Sequence, residues 1–187
     1  MSKEIVTEKE GVSFTSHISY LISHPFLLWI VKAIATGLFL SYIPYRFFRR
    51  TFWTGAGLVG TLWGLFLMPY VPQNTLPFIR FWVLSLLGAI VVSGLAEKAL
   101  GNPDDSRIVI DETVGFWTAM AFLPRHWPVL LLAFVLFRFF DVMKVPGLRF
   151  LEKMPLGFGI VLDDVAAGVV ANLIIRLGLG VGGWKLV

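Results

Sequence analysis

The sequence predicts an all-α integral membrane helical bundle of about five to six helices, some short or half-buried. Three observations carry this expectation. Hydrophobic residues make up 57% of the 187-residue chain and charged residues only 15%, against about 25% charged in an average soluble domain. The apolar residues gather into runs bounded by prolines and basic residues. The runs also lack the ten-residue alternation of a membrane β-barrel, which leaves helices as the way to satisfy backbone groups in lipid.

The first 24 residues are polar and nearly charge-balanced, without the basic-then-apolar order of a secretory signal. They read as a surface arm, amphipathic from Val12 to Leu21, with residues 25–187 as one membrane-embedded domain. Apolar runs lie at Pro25–Ile43, Gly55–Val71, Leu76–Ala96, Ile108–Leu123, Pro128–Val142 and Asp163–Leu179. Crossing the hydrocarbon core takes about 20 residues. Leu76–Ala96 meets that length and Pro25–Ile43 nearly does, while the others are short or broken by Gly, Pro or acids. Pro44, Pro69, Pro72, Pro77, Pro124, Pro128 and Pro146 fall at or near run ends, where proline disturbs a helix least. The glycines of "TGAGLVGTLWG" lie inside a run. They either let helices approach closely or form a functional backbone turn.

Basic residues alternate between heavy and light connections. Arg46, Arg49 and Arg50 come after the first run, Lys98 and Arg107 after the third, and Lys144, Arg149 and Lys153 after the fifth. The intervening connections hold little beyond Arg80 and Arg125. If every run crosses, the heavy connections face the cytoplasm. The net charge of +4 is modest, no Lys/Arg run suits nucleic acid, and the absence of cysteine excludes disulfides, thiolate metal sites and a cysteine nucleophile.

The acids are placed unevenly. None occurs between Glu10 and Glu97, and then they appear against apolar runs: Asp111 and Glu112 in "RIVIDETVGFW", Asp141 in "FRFFDVMK", Asp163 and Asp164 in "GIVLDDVAAG". All lie near the basic-rich connections, hence on one side of the membrane, where ionisable groups are functional candidates. The acid pairs are each expected to open a helix. Capping by an Asp is worth about 1 kcal/mol, which accounts for one acid of each pair and not for its neighbour. Carboxylates from separate helices converging on a divalent cation account for both. Mg²⁺ suits such a set, because it takes oxygen ligands and shares them with substrate phosphate.

Arg138, Asp141 and Lys144 are spaced i, i+3, i+6 and share one helix face. Intrahelical salt bridges are one reading, worth about 0.3–0.5 kcal/mol each. The other is an Arg and a Lys that hold phosphate beside an Asp of the ion site. Carboxylates for a cation and Arg and Lys for an anion suggest a phosphate ester at headgroup level. None of His17, His24 and His126 lies in the acid clusters, and no Gly-x-x-x-x-Gly-Lys-Ser/Thr loop is present. Metal-assisted hydrolysis remains, with a bound water as nucleophile or an Asp taking the phosphoryl group.

In this order and at these separations, "IVIDETVG", "FRFFDVMKVPGLRF" and "GFGIVLDDVAAG" resemble the phosphatidylglycerophosphatase A family over about Asp104 to Arg176. The resemblance implies a bacterial enzyme of the inner membrane, multi-pass, with its active site facing the cytoplasm. It implies Mg²⁺-dependent removal of the terminal phosphate of phosphatidylglycerophosphate to give phosphatidylglycerol, in phospholipid biosynthesis. It also implies site residues. Asp111, Glu112, Asp163 and Asp164 are the metal-facing set. Asp141, Asp163, Asp164, Arg138 and Lys144 are the catalytic candidates, and Arg138 and Lys144 hold phosphate. The family's Pro-Gly-Thr-x-Gly-Ser stretch is replaced here by "FWTGAGLVGTLWG", in which Thr54, Gly55 and Gly57 stand in as a turn that touches phosphate. The family's Lys-Pro is Lys144-Val145 in this chain. The alternative is a small cation channel or transporter with an acid-lined path, which predicts acids spread through the membrane depth.

Overall fold

The computed structural model describes residues 24–48, 55–102, 104–143, 154 and 157–181. The N-terminal arm expected over residues 1–24 falls outside them apart from His24, as do Thr54 and Lys144. Seven α-helices occur among the described residues: α1 (Pro25–Ala35), α2 (Tyr42–Phe48), α3 (Ala56–Phe66), α4 (Thr75–Leu100), α5 (Ile110–Ala119), α6 (Trp127–Met143) and α7 (Phe158–Val181). A 3₁₀ turn at Met68–Tyr70 comes after α3, and the described residues contain no strand. The architecture is the expected helical one.

The first apolar run accounts for the difference in helix number. Its length predicts one near-spanning helix. Instead residues 36–41 turn, with φ of +58° at Gly37, +56° at Leu38 and +64° at Phe39. A right-handed helix cannot continue through left-handed backbone, so the run splits into α1 and α2. The last run departs in the other direction. Its helix starts five residues before Asp163, because Phe158–Leu162 is itself an apolar stretch.

Two helices are long and apolar enough to cross a membrane. At 1.5 Å per residue, α4 spans about 39 Å and α7 about 36 Å, against a hydrocarbon core of about 30 Å. Leu84, Leu87 and Val91 of α4 and Leu173 and Leu177 of α7 are exposed. Such outward faces suit lipid and would be costly in water. Glycine ends α4: Gly101 takes φ +79° and its N–H returns to the Glu97 carbonyl.

Short α5 is the centre. Asp111 and Thr113 to Ala119 are all buried, and Phe116 packs with Phe137 of α6 in the main apolar core. Contacts between neighbouring helices fix their directions. Gly57 and Gly64 of α3 face Glu112 and Phe116 in turn, so α3 runs parallel to α5. Asp164 and Gly168 of α7 meet Gly115, and Asn172 reaches Ala119, so α7 is parallel as well. Phe78 of α4 packs on Phe122 while Phe81 packs on Trp117, so α4 is antiparallel.

These helices approach closely because glycine lines the crossings. A methyl group on Gly168 would collide with the Gly115 carbonyl, and one on Gly115 would lie 2.7 Å from the Phe137 ring. Gly60 lies against the Val109 carbonyl in the same way. Close backbones then allow side chains to bond across helices: Thr113 Oγ1 donates to Gly60 O (2.9 Å), Trp117 Nε1 to Gly64 O (3.0 Å) and Asn172 Nδ2 to Ala119 O (2.8 Å). The glycines inside the α3 run therefore serve helix approach, the first of the two readings.

Asp111 and Asp164 each precede a crossing glycine by four residues. The crossing of Gly115 with Gly168 thus brings the two acids to the same end of the bundle, one helical turn away. The crossing is open to a direct test. Gly168→Ala should destabilise the protein by about 1–3 kcal/mol through overpacking. Gly178→Ala, with open space around its position, should be neutral or stabilising by about 0.5–1 kcal/mol. Thermal melts in detergent check both.

Candidate active site

The start of α5 is fixed by the loop before it. Arg107 donates from Nε to Asp105 Oδ1 (2.7 Å) and from Nη2 to Oδ2 (2.6 Å), and its backbone N–H adds a third bond to Oδ1 (3.0 Å). Burial pushes the Asp105 carboxyl up. The bonds from the Arg107 side chain and backbone and from Asn102 outweigh it and hold the group below its ordinary value. The Arg107 guanidinium also lies 5.4 Å from the ring centres of Tyr42 and Tyr45. Ser41 Oγ donates to the Arg107 carbonyl (2.7 Å) and Val109 N–H to the Ala35 carbonyl (2.7 Å). The corner between α1 and α2 thereby anchors the residue just before α5.

Asp111 and Glu112 are the second and third residues of α5, whose N-cap, Val109, makes no side-chain cap. The expectation that this pair opens a helix holds. For the other pair it fails: Asp163 and Asp164 are the sixth and seventh residues of α7, beyond its first turn. Helix capping therefore does not explain them.

Carboxylate oxygens of Asp111, Glu112 and Asp164 all lie within 4.8 Å of one another. Asp111 Oδ1, Glu112 Oε2 and Asp164 Oδ2 are buried without a hydrogen-bond partner. Three converging carboxylates, each with a buried oxygen left unpartnered, are costly inside an apolar bundle. A hard divalent cation with oxygen ligands removes that cost, so these residues fit the ion the sequence implied. Of the four expected metal-facing residues, these three come together. Asp163 is half-buried on the adjacent position of α7 and is not one of the three.

Asp141 accepts an ion pair from Arg138 Nη1 at 2.5 Å, and its charge acts on Asp111, Glu112 and Asp164. Arg138 is 8% exposed. Its Nη1 also lies 4.0 Å from Glu112 Oε1 and 3.5 Å from Thr61 Oγ1, and its Nε has no partner. The intrahelical salt bridge is therefore made, but in the interior, where it ties α6 to α5 and α3. It is not the weak surface pair that helix spacing alone describes.

Gly55 caps α3 with φ +69°, opposite Pro44. The glycine that reaches the acids is Gly57. A methyl there would collide with Glu112 Oε1 and lie 2.8 Å from Arg138 Nη1. Thr61, fully buried, donates to the Gly57 carbonyl (3.1 Å) and lies beside Arg138. Sequence reading named neither Thr61 nor the pairing of Gly115 with Gly168. The spacing Asp-x-x-x-Gly, present in both acid motifs, is the signal that could have found the crossing.

The family model for phosphatidylglycerophosphatase A matches residues 21–179 of this chain. The chain is similar to phosphatidylglycerophosphatase A of Haemophilus influenzae, 35% identical over 124 residues that cover 65% of this chain and 75% of that protein. It is similar to the protein of the same name from Escherichia coli K12, 31% identical over 133 residues, 61% of this chain and 77% of that protein. A Bacteroides thetaiotaomicron protein provisionally named a phosphatidylinositol-3-phosphatase is 37% identical over 98 residues, 51% of this chain and 61% of that one. No solved structure matches. The chain belongs to the phosphatidylglycerophosphatase A family, and is a phosphatase.

The acid cluster can be tested without an activity assay. Asp164→Asn keeps the shape of the side chain and removes one buried charge. In EDTA the variant should melt higher than the parent, because the set carries less uncompensated charge. With Mg²⁺ or Mn²⁺ at about 100 times its dissociation constant, the parent should gain about 2.7 kcal/mol and the variant should lose most of that gain. A parent whose melting is indifferent to both ions contradicts a cation site.

Proposed function

We propose that this chain hydrolyses the terminal phosphate monoester of phosphatidylglycerophosphate, giving phosphatidylglycerol and phosphate for phospholipid synthesis. The observation that carries this reading is the convergence of the Asp111, Glu112 and Asp164 carboxylates within 4.8 Å, each with one buried oxygen lacking a hydrogen-bond partner, beside a buried arginine. Family membership supplies the lipid monoester that such a site suits.

In this reading Asp111, Glu112 and Asp164 hold Mg²⁺, with Asp163 beside them. The bound ion supplies charge neutralisation at the phosphate and a lowered pKa for a water. The chain's own residues do the rest. Asp141 and Glu112 hold the Arg138 guanidinium in one orientation, and its unpartnered Nε faces no competing protein acceptor. A guanidinium fixed in this way binds phosphate oxygens without first reorganising. Lys144, three residues beyond Asp141 in the sequence, supplies a second cation for the leaving phosphate. Asp141 and Asp163 are the candidates to accept a proton from an attacking water or to take the phosphoryl group. Gly55, at the N-terminus of α3, lies at the same end of the bundle as the site, and Thr54 precedes it in the sequence.

The sidedness reading rests on the same end of the bundle. Among the described residues Arg46, Lys98 and Arg107 lie at the end where α3, α5 and α7 begin and Arg80, Arg125 and Arg176 at the other, so the asymmetry comes from Arg49, Arg50, Lys144, Arg149 and Lys153, which follow α2 and α6 in the sequence. By the distribution of basic residues, the site faces the cytoplasm of a bacterial inner membrane that the chain crosses several times. An acid-lined cation path is not favoured. The converging acids sit at one depth, and Arg138 among them repels a permeating cation.

The test is phosphate release by purified protein in detergent from phosphatidylglycerophosphate. Mg²⁺ should support release and EDTA should stop it. Asp111→Asn and Asp164→Asn should each lower kcat/KM by at least about 100-fold, the upper range for losing even an outer partner of a metal ligand. Turnover that survives EDTA, or persists in both variants, contradicts the assignment.

A further inference from the structure

Arg138 is the cation that the functional reading places against phosphate, so whatever fixes its guanidinium fixes the anion site. The guanidinium is planar and carries five N–H donors, two of them on Nη1. Among the described residues three acceptors lie near Nη1: Asp141 Oδ2 at 2.5 Å, Thr61 Oγ1 at 3.5 Å and Glu112 Oε1 at 4.0 Å. Asp141 takes one proton. Glu112 attracts the charge but stands beyond hydrogen-bond reach, and in the functional reading its own charge is shared with the cation. Thr61 is left to take the second proton.

Thr61 is completely buried, yet α3 does not depend on its hydroxyl. The hydroxyl donates to the Gly57 carbonyl one turn back at 3.1 Å, the same carbonyl that a regular α-helix gives to the Thr61 N–H. With its hydrogen directed there, the oxygen faces Arg138 as an acceptor. A neutral acceptor suits this place. Another carboxylate would add repulsion to a site that already gathers Asp111, Glu112, Asp141 and Asp164. An apolar side chain would leave a charged N–H buried without a partner, which is costly.

Gly57 completes the seat. It precedes Thr61 by one turn on the same face of α3. A methyl on Gly57 would lie 2.8 Å from Nη1 and 3.0 Å from Nη2 of Arg138, so the guanidinium rests against bare backbone. Two bonds from Nη1, one to α6 and one to α3, stop the group from turning. Its Nε, also buried, has no partner. The Nε edge is therefore the part of the guanidinium held ready for an oxyanion.

We propose that Thr61 is a positioning residue of the phosphatase reaction: its hydroxyl oxygen orients Arg138 so that the Nε edge meets the phosphate of the lipid monoester. This rests on the functional reading above. It gives a role to a side chain that acts through Arg138 rather than on the substrate.

Two variants separate the hydroxyl from the space it fills. Thr61→Val keeps the shape of the side chain without the hydroxyl, and Thr61→Ser keeps the hydroxyl. The full chain in detergent with saturating Mg²⁺ is assayed on phosphatidylglycerophosphate, with inorganic phosphate as the competing product. Thr61→Val should lower kcat/KM by at least about tenfold, the weight of one hydrogen bond to a charged group, and should weaken phosphate inhibition by a similar factor. Thr61→Ser should recover most of both. The rise in melting temperature caused by Mg²⁺ should be the same in all three proteins, which a disturbed acid cluster would not allow. A Thr61→Val variant with the parent's kcat/KM and phosphate inhibition overturns the proposal. So does an equal loss in both variants, or a Mg²⁺ response that disappears with the hydroxyl, since each marks a role in packing. A parent that releases no phosphate from the lipid overturns the functional reading alone. Melting of the Mg²⁺-loaded chain with inorganic phosphate then decides Thr61: phosphate should stabilise the parent and Thr61→Ser but not Thr61→Val, and equal stabilisation of all three, or of none, overturns the proposal.

Discussion

Three carboxylates that converge inside an apolar bundle, each with an unpartnered buried oxygen, set the terms for everything around them. Asp111, Glu112 and Asp164 repel one another, and each keeps one buried oxygen without a hydrogen-bond partner. A chain free to choose would keep such groups in water. This one brings them together by crossing α5 and α7 at Gly115 and Gly168, and by laying α3 against α5 through Gly57, Gly60 and Gly64. The scaffold is built from small residues because only close backbones bring acids four residues up each helix within reach of one another. In lipid, where the apolar surroundings give no hydrophobic reason for helices to associate, this packing and the bonds of Thr113, Trp117 and Asn172 hold the arrangement.

The cationic side of the site obeys the same logic. Arg138 enters the interior already matched to Asp141, which limits the cost of burying it. Its remaining reach toward Glu112 and Thr61 links three helices through one guanidinium. The Asp105–Arg107 clasp does a comparable task outside the bundle. It fixes the loop that delivers the first turn of α5, and therefore the position of the two adjacent acids. The phosphatase mechanism proposed above would combine these buried charges with an apolar exterior suited to lipid.

Much of this was legible in the sequence, for physical reasons. An acid beside an apolar run is expensive, so its presence marks a site wherever the helices place it. Asp111, Glu112 and Asp164 were recognisable on that ground. The face shared by Arg138 and Asp141 came from helical spacing. What could not be read was set by tertiary packing. Asp163 and Asp164 look alike in the sequence, and only the register of α7 against α5 separates the residue that turns inward from its neighbour. The break at residues 37–39 includes two non-glycine residues with left-handed backbone. No local propensity asks for that, because the strain is imposed by bonds from Thr36, Ser41 and Trp63. Thr61 lay hidden for a similar reason: its bond to the Gly57 carbonyl is local to α3, but its place beside Arg138 depends on the packing of α6 against α3.

The most direct test is to see the ion. Crystals or lipid nanodiscs of the protein prepared with Mn²⁺ in place of Mg²⁺ allow the metal to be located, in crystals by its anomalous scattering. A density peak bonded to oxygens of Asp111, Glu112 and Asp164 at about 2.0–2.2 Å is the result expected. A metal bound elsewhere, or carboxylates that turn away from one another with no ion between them, would contradict the account.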